Sequence, residues 1–191
     1  MKTLKLLSLC LLLLAGCSKT EKEDATNEDE AVLKKDNEGT TSSEEETSWD
    51  DVDLTSPVVE YDEVRSKDVE VRGNDKYSVY SLDETVLFDV NESQLKSGAE
   101  ANLQEIVASV KQRYPDGDIA VNGYADNTGD RSDNKDLSKE RAQAVADYLA
   151  DNGIAKDRIE VRGKGERKPV ATNDTEAGRA KNRRVEIIAR D

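Results

Sequence analysis

Apolar residues that recur with a structural period are confined to the C-terminal part of this chain. Upstream of them stand one aliphatic run, Leu6 to Leu14 interrupted only by Ser8 and Cys10, and then a long charged stretch. A chain folds only where it has enough apolar surface to offset its conformational entropy. The partition therefore leaves roughly 115 residues, enough for one modest core.

The aliphatic run follows a short basic start, Lys2 and Lys5. It is about half the roughly 20 residues needed to span a bilayer. Residues 1–16 are expected to be a signal peptide. The sequence Leu14-Ala15-Gly16-Cys17 resembles the lipobox read by the lipoprotein signal peptidase. The resemblance implies diacylation of Cys17 through a thioether, cleavage before it and acylation of the new amino terminus, and several acyl chains on one residue anchor firmly where one does not. Ser18 is compatible with sorting to the outer membrane. Cys10 leaves with the signal and Cys17 takes the lipid, so the mature fold is expected to hold no disulfide. The chain has no histidine, which removes histidine acid–base catalysis, the Ser-His-Asp and Cys-His nucleophilic arrangements and the commonest zinc sites.

The net charge of −14 is uneven: from Ser18 to Asp53 there are 14 acidic and 4 basic residues, and from Lys76 to Asp191 there are 22 and 19. Residues 17–56 read as the lipidated cysteine and a disordered acidic linker, with Trp49 its only aromatic residue. Residues 57–75 read as a short hairpin, in which Val69 and Val71 alternate with polar residues and Gly73-Asn74-Asp75 turns the chain toward Tyr77-Ser78-Val79-Tyr80.

Residues 76–191 carry the clearest pattern. Thr85 to Phe88 reads as a strand, and Leu95, Ala99, Leu103, Ile106, Val107 and Val110 recur at helical spacing. A second strand covers Ile119 to Tyr124. A second helix is expected from near Ser138, capped by its hydroxyl with Leu137 as a staple, and it closes at Gly153. Further strands cover Arg158 to Arg162 and Arg183 to Ala189. The expected class is α+β, a two-layer sandwich of order β-α-β-α-β-β in which two helices cover one face of a mixed sheet.

Five motifs fall in order along this part: Phe88-Asp89-Val90; Gly123-Tyr124-Ala125-Asp126-Asn127-Thr128-Gly129; Asn134, Leu137, Ser138, Arg141, Ala142 and Val145; Gly163 and Gly165; and Gly178-Arg179-Ala180 followed by Asn182-Arg183-Arg184-Val185-Glu186-Ile187. Together they resemble the OmpA-like peptidoglycan-binding domain. That resemblance implies non-covalent binding of the diaminopimelate of peptidoglycan stem peptides, tethering the outer membrane to the wall. It implies no cofactor, no metal and no enzymatic step. The distal end of diaminopimelate carries an ammonium and a carboxylate, and Asp126 and Arg141 match the family's ligand-binding pair. A guanidinium offers a planar fork to a carboxylate, and amide donors at a helix start are expected to reinforce it. Asp126 is expected in a loop and Arg141 in the first turn of the second helix, where truncation removes no core surface. Asn134 and Leu137 shape the loop, Phe88 and Asp89 either line the pocket or, for Phe88, fill the core, and Asn182, Arg183 and Arg184 read as structural. Where many members have Gly-His-Thr-Asp, this chain has Gly123-Tyr124-Ala125-Asp126.

Other readings compete with this one. Asp126, Thr128, Asp130, Ser132 and Asn134 place oxygen groups at alternate positions, but an EF-hand loop counted from Asp126 would need glycine at Arg131 and glutamate at Leu137. A peptidoglycan hydrolase would need a defined carboxylate pair, and the sequence singles out none. A module that binds another envelope protein is compatible with wall binding. Nucleic acid is not expected as a partner, since the chain is acidic and lacks a basic patch interleaved with aromatics.

Overall fold

The structure, a computed structural model, describes Trp49 and residues 52–191. The signal peptide, the lipidation site Cys17 and the acidic stretch before Trp49 lie outside the described residues. No helix among the described residues is long and apolar enough to cross a membrane.

The hairpin forms as its alternation and turn residues indicate, with β1 (Glu70–Gly73) antiparallel to β2 (Tyr77–Asp83). β2 is longer than the sequence reading, and it displaces the strand expected at Thr85 to Phe88. Glu84–Leu87 instead makes one helical turn, α1, closed by Phe88 N–H donating to Glu84 O. A continuous apolar run fits a buried turn as well as a strand, and the turn starts where the ladder between β2 and the last strand ends, with Glu84 N–H donating to Arg183 O. Leu87 and Phe88 still reach the core.

Helix α2 (Ala99–Arg113) buries Leu103, Ile106, Val107 and Val110 on one face, the i, i+3, i+4, i+7 stripe of an amphipathic helix. β3 (Asp118–Tyr124), α3 (Arg131–Asp151) and β4 (Ile159–Gly165) follow, and β3 and β4 pair in parallel. A short helix α4 (Glu176–Asn182) leads into β5 (Arg184–Arg190). The strand order is β1-β2-β5-β3-β4, so the last strand lies between β2 and β3, antiparallel to both.

Two faces of this sheet are closed by different means. Helices α2 and α3 cover one, over Tyr80, Leu82, Ile119, Val121, Val185 and Ile187. On the other, Val79, Ile188 and Ala120 form a cross-strand row sealed with Tyr77 by Trp49 and Val52. Both lie in the stretch expected to be solvated linker, yet each is only 5% exposed. The indole N–H donates to Glu160 Oε2 at 2.8 Å, and the Arg190 guanidinium stacks 4.1 Å above the ring. An isolated tryptophan has no period to announce it, and only the tertiary fold shows that it has an apolar face to cover.

Candidate functional site

The site sits where β3 ends. β3 and β4 change register there: Gly123 pairs with Gly163 but Tyr124 with Gly165, so Lys164 is an extra residue on β4. Bulges of this kind re-aim the chain that follows. α3 packs against the same spot without intervening side chains, because a Cβ on Gly123 would meet Ser138 O at 1.9 Å and one on Gly163 would meet Lys135 O at 2.6 Å. Ser138 accepts from Gly165 N–H at 3.0 Å. This close approach carries Arg141, one turn further along α3, toward the end of β3.

Four side chains form a charge network there. Arg141 donates through Nε to Glu92 O at 2.9 Å, and its Nη2 lies 2.8 Å from Glu84 Oε1. Glu84 Oε2 lies 3.3 Å from Arg183 Nε without making a hydrogen bond. Arg183 Nη1 donates to Asp126 Oδ2 at 2.6 Å, and its Nη2 reaches the exposed Glu176 at 3.1 Å. Asp126 Oδ1 accepts from Thr128 N–H at 2.8 Å and from the Thr128 hydroxyl. Burial pushes the Asp126 carboxyl up, but the Thr128 and Arg183 hydrogen bonds outweigh it and hold the carboxyl below the usual range. Arg183 is opposed by burial and held above its ordinary value by Asp126 and Glu176. The side chains of Asp126 and Arg141 are each 5% exposed.

The profile of the OmpA family matches residues 87–183. The chain belongs to the OmpA family. Peptidoglycan-binding protein ArfA of Mycobacterium tuberculosis (strain H37Rv) is 47% identical over 90 residues, covering 47% of this chain and 28% of that protein. The probable lipoprotein YiaD of Escherichia coli (strain K12) is 38% identical over 126 residues, 66% of this chain and 57% of that protein. Among solved structures, the cell wall anchor of the T6SS from Pseudomonas aeruginosa is similar at a TM-score of 0.61 and 30% identity, over 68% of this chain and 92% of that one. The chain thus spans less than two thirds of the length of either curated relative.

The pair expected from the resemblance, Asp126 and Arg141, is brought into one network, through Glu84 and Arg183. Asn134 shapes the loop by donating to Thr128 O at 2.8 Å and to Asp126 O at 3.3 Å. Leu137 is half-buried. Phe88 is buried in the core, with the Arg141 guanidinium 5.4 Å from its ring centre. Asp89 is exposed and is not part of the charge network.

The expected helix start is corrected. α3 begins at Arg131, capped by Asp130, whose carboxylate accepts from Ser132 N–H. Ser138 is interior and donates to Lys135 O. Arg141 therefore lies in the third turn, away from the exposed amides of the helix start. The first two turns lack a marked apolar stripe, so periodicity does not register them. Arg183 and Glu84 were missed as site residues. The signal for Arg183 lay in the Arg183-Arg184 doublet: at the entry to a strand, neighbours point to opposite faces. Arg184 takes the far face, stacking 3.8 Å over Tyr124 and pairing at 2.8 Å with the buried Glu186, which leaves Arg183 to face Asp126. Tyr124, in place of the family's usual histidine, thus packs away from the site. Asn182 is structural, but it organises the preceding loop by accepting from Val170 and Ala171 N–H.

Proposed function

We propose that this domain binds peptidoglycan non-covalently by the free end of diaminopimelate in the stem peptides, and that lipid on Cys17 ties it to the outer membrane with the domain facing the periplasm. The observation that carries the reading is the single buried network holding Asp126 and Arg141 in a member of the OmpA family. Arg141 uses Nε on Glu92 O and Nη2 on Glu84, which fixes the plane of a guanidinium whose fork suits a ligand carboxylate. Asp126 stays ionised, as an ammonium partner requires. The same feature makes Asp126 unsuited to be the general acid of a hydrolase, which needs a raised pKa, since the pKa of Asp126 is lowered.

The burial of these residues dictates the test. Alanine at either position would strand its partner, and breaking a buried ion pair costs about 3–5 kcal/mol, so the mild effect expected from a loop and a helix start does not hold. Asp126→Asn and Arg141→Lys keep most of the volume. Each should lower co-sedimentation of the folded protein with diaminopimelate-containing sacculi by about ten- to a hundredfold, because an ammonium lacks the fork and an amide lacks the charge. Wild-type affinity in both variants would instead favour the reading in which the domain docks on another envelope protein.

A further inference from the structure

Glu84 presents its carboxylate to the same guanidinium that a ligand carboxylate would approach, and it also faces Arg183. Only 12% of its side chain is exposed, and its Oε2 is buried without a hydrogen bond. With Glu84 present, the inner network balances: Asp126 and Glu84 against Arg141 and Arg183. Glu176, at the rim, is exposed and screened by solvent.

We propose that Glu84 determines the site's specificity, by making the inner network neutral so that it accepts a zwitterion and rejects a lone carboxylate. The inference rests on the diaminopimelate reading and goes beyond the Asp126 and Arg141 pair. In a shielded site, adding an ammonium and a carboxylate together leaves the balance at zero, whereas a carboxylate alone leaves a net negative charge close to Glu84 and Asp126. Mismatched charge at short range is a strong discriminator even where matched charge adds little affinity. Without the negative charge of Glu84 the network carries one positive charge in excess, and a lone carboxylate becomes the neutralising ligand.

Three peptides of the series L-Ala-γ-D-Glu-X test this by titration calorimetry on the folded soluble chain. X is meso-diaminopimelate, 2-aminopimelate, which lacks the distal ammonium, or lysine, which lacks the distal carboxylate. The wild type should prefer the first. Glu84→Gln should cut the preference for diaminopimelate over 2-aminopimelate by about tenfold or more, the scale of one charged contact, and weaken the lysine peptide further. The double variant Glu84→Gln, Arg183→Gln restores neutrality and should return the preference toward the wild-type ratio, which a merely structural role for Glu84 does not predict. Glu84→Asp keeps the charge and should keep the rank order even if all three peptides bind less well. Parallel weakening of all three in Glu84→Gln with the ratios intact, or no return in the double variant, overturns the proposal and leaves Glu84 as a prop for Arg141. A wild type that binds sacculi but none of the three peptides overturns the diaminopimelate reading, and this inference with it.

Discussion

The two faces of the sheet are built by opposite strategies. On one, α2 and α3 lay regular stripes over the strands, and Leu103, Ile106, Val145 and Leu149 are fully buried. On the other, a short row of Val79, Ala120 and Ile188 is sealed by Trp49 and Val52, from a segment with no period, and the rest of the face carries the buried Arg184–Glu186 pair. The helical face is over-determined, since many residues share its closure. The opposite face relies on a small cluster in which Trp49, Val52 and Tyr77 do the covering. The charge network proposed to bind ligand belongs to the helical side, so the contrast separates what the fold needs from what that proposal needs.

The contrast is broken most forcefully at Gly123. A Cβ there would meet Ser138 O at 1.9 Å, so Gly123→Ala should force α3 outward, costing about 3 kcal/mol and removing wall binding with Arg141. Urea denaturation and sacculus sedimentation check it; unchanged stability would show that α3 has room to spare. Next comes Trp49→Ala, which uncovers the opposite face and should cost about 1.5–3 kcal/mol while the folded protein binds wall with unchanged affinity. A chain beginning at Pro57 should behave alike, binding wall normally but melting earlier. Lost affinity in either would tie the two faces together.

Acid offers a gentler probe of the helical side. Because the folded Asp126 carboxyl is held below its usual value, its stabilisation is fully present above the unfolded pKa of about 3.9 and is lost as pH falls below that. Unfolding free energy should therefore decline below about pH 4 more steeply in the wild type than in Asp126→Asn, as denaturation at graded pH would show. Parallel curves would mean that Asp126 contributes nothing through its charge. The smallest effect is expected at Glu160→Ala, which removes the acceptor of the indole N–H and the partially exposed ion pair with Arg162 and should cost about 0.5–1.5 kcal/mol in thermal melts.

The same contrast explains what the sequence revealed. The stripe from Leu103 to Val110 and the alternation of β5 were readable because burial of one face imposes a period. Thr85 to Phe88 misled because a short apolar run has no period to separate turn from strand. The start of α3 was hidden because its first two turns carry no marked stripe. Asp126 and Arg141 were expected as a pair from the ordered motifs, and the structure joins them in one network. Glu84 was not, since its place in the network comes from a tertiary encounter with residues 57 and 99 positions away, and no local spacing encodes that.

The central position of β5 bears on how the domain comes into being. Residues 184–190 bridge β2, over a hundred positions earlier, and β3, so the sheet lacks its middle until the domain's final strand arrives. Pairings this distant in sequence slow folding. A chain emerging N-terminus first from a ribosome or a translocation channel would present two unjoined half-sheets with open edges, the state in which chaperones bind and strands mispair. Folding is thereby deferred until the whole domain has emerged.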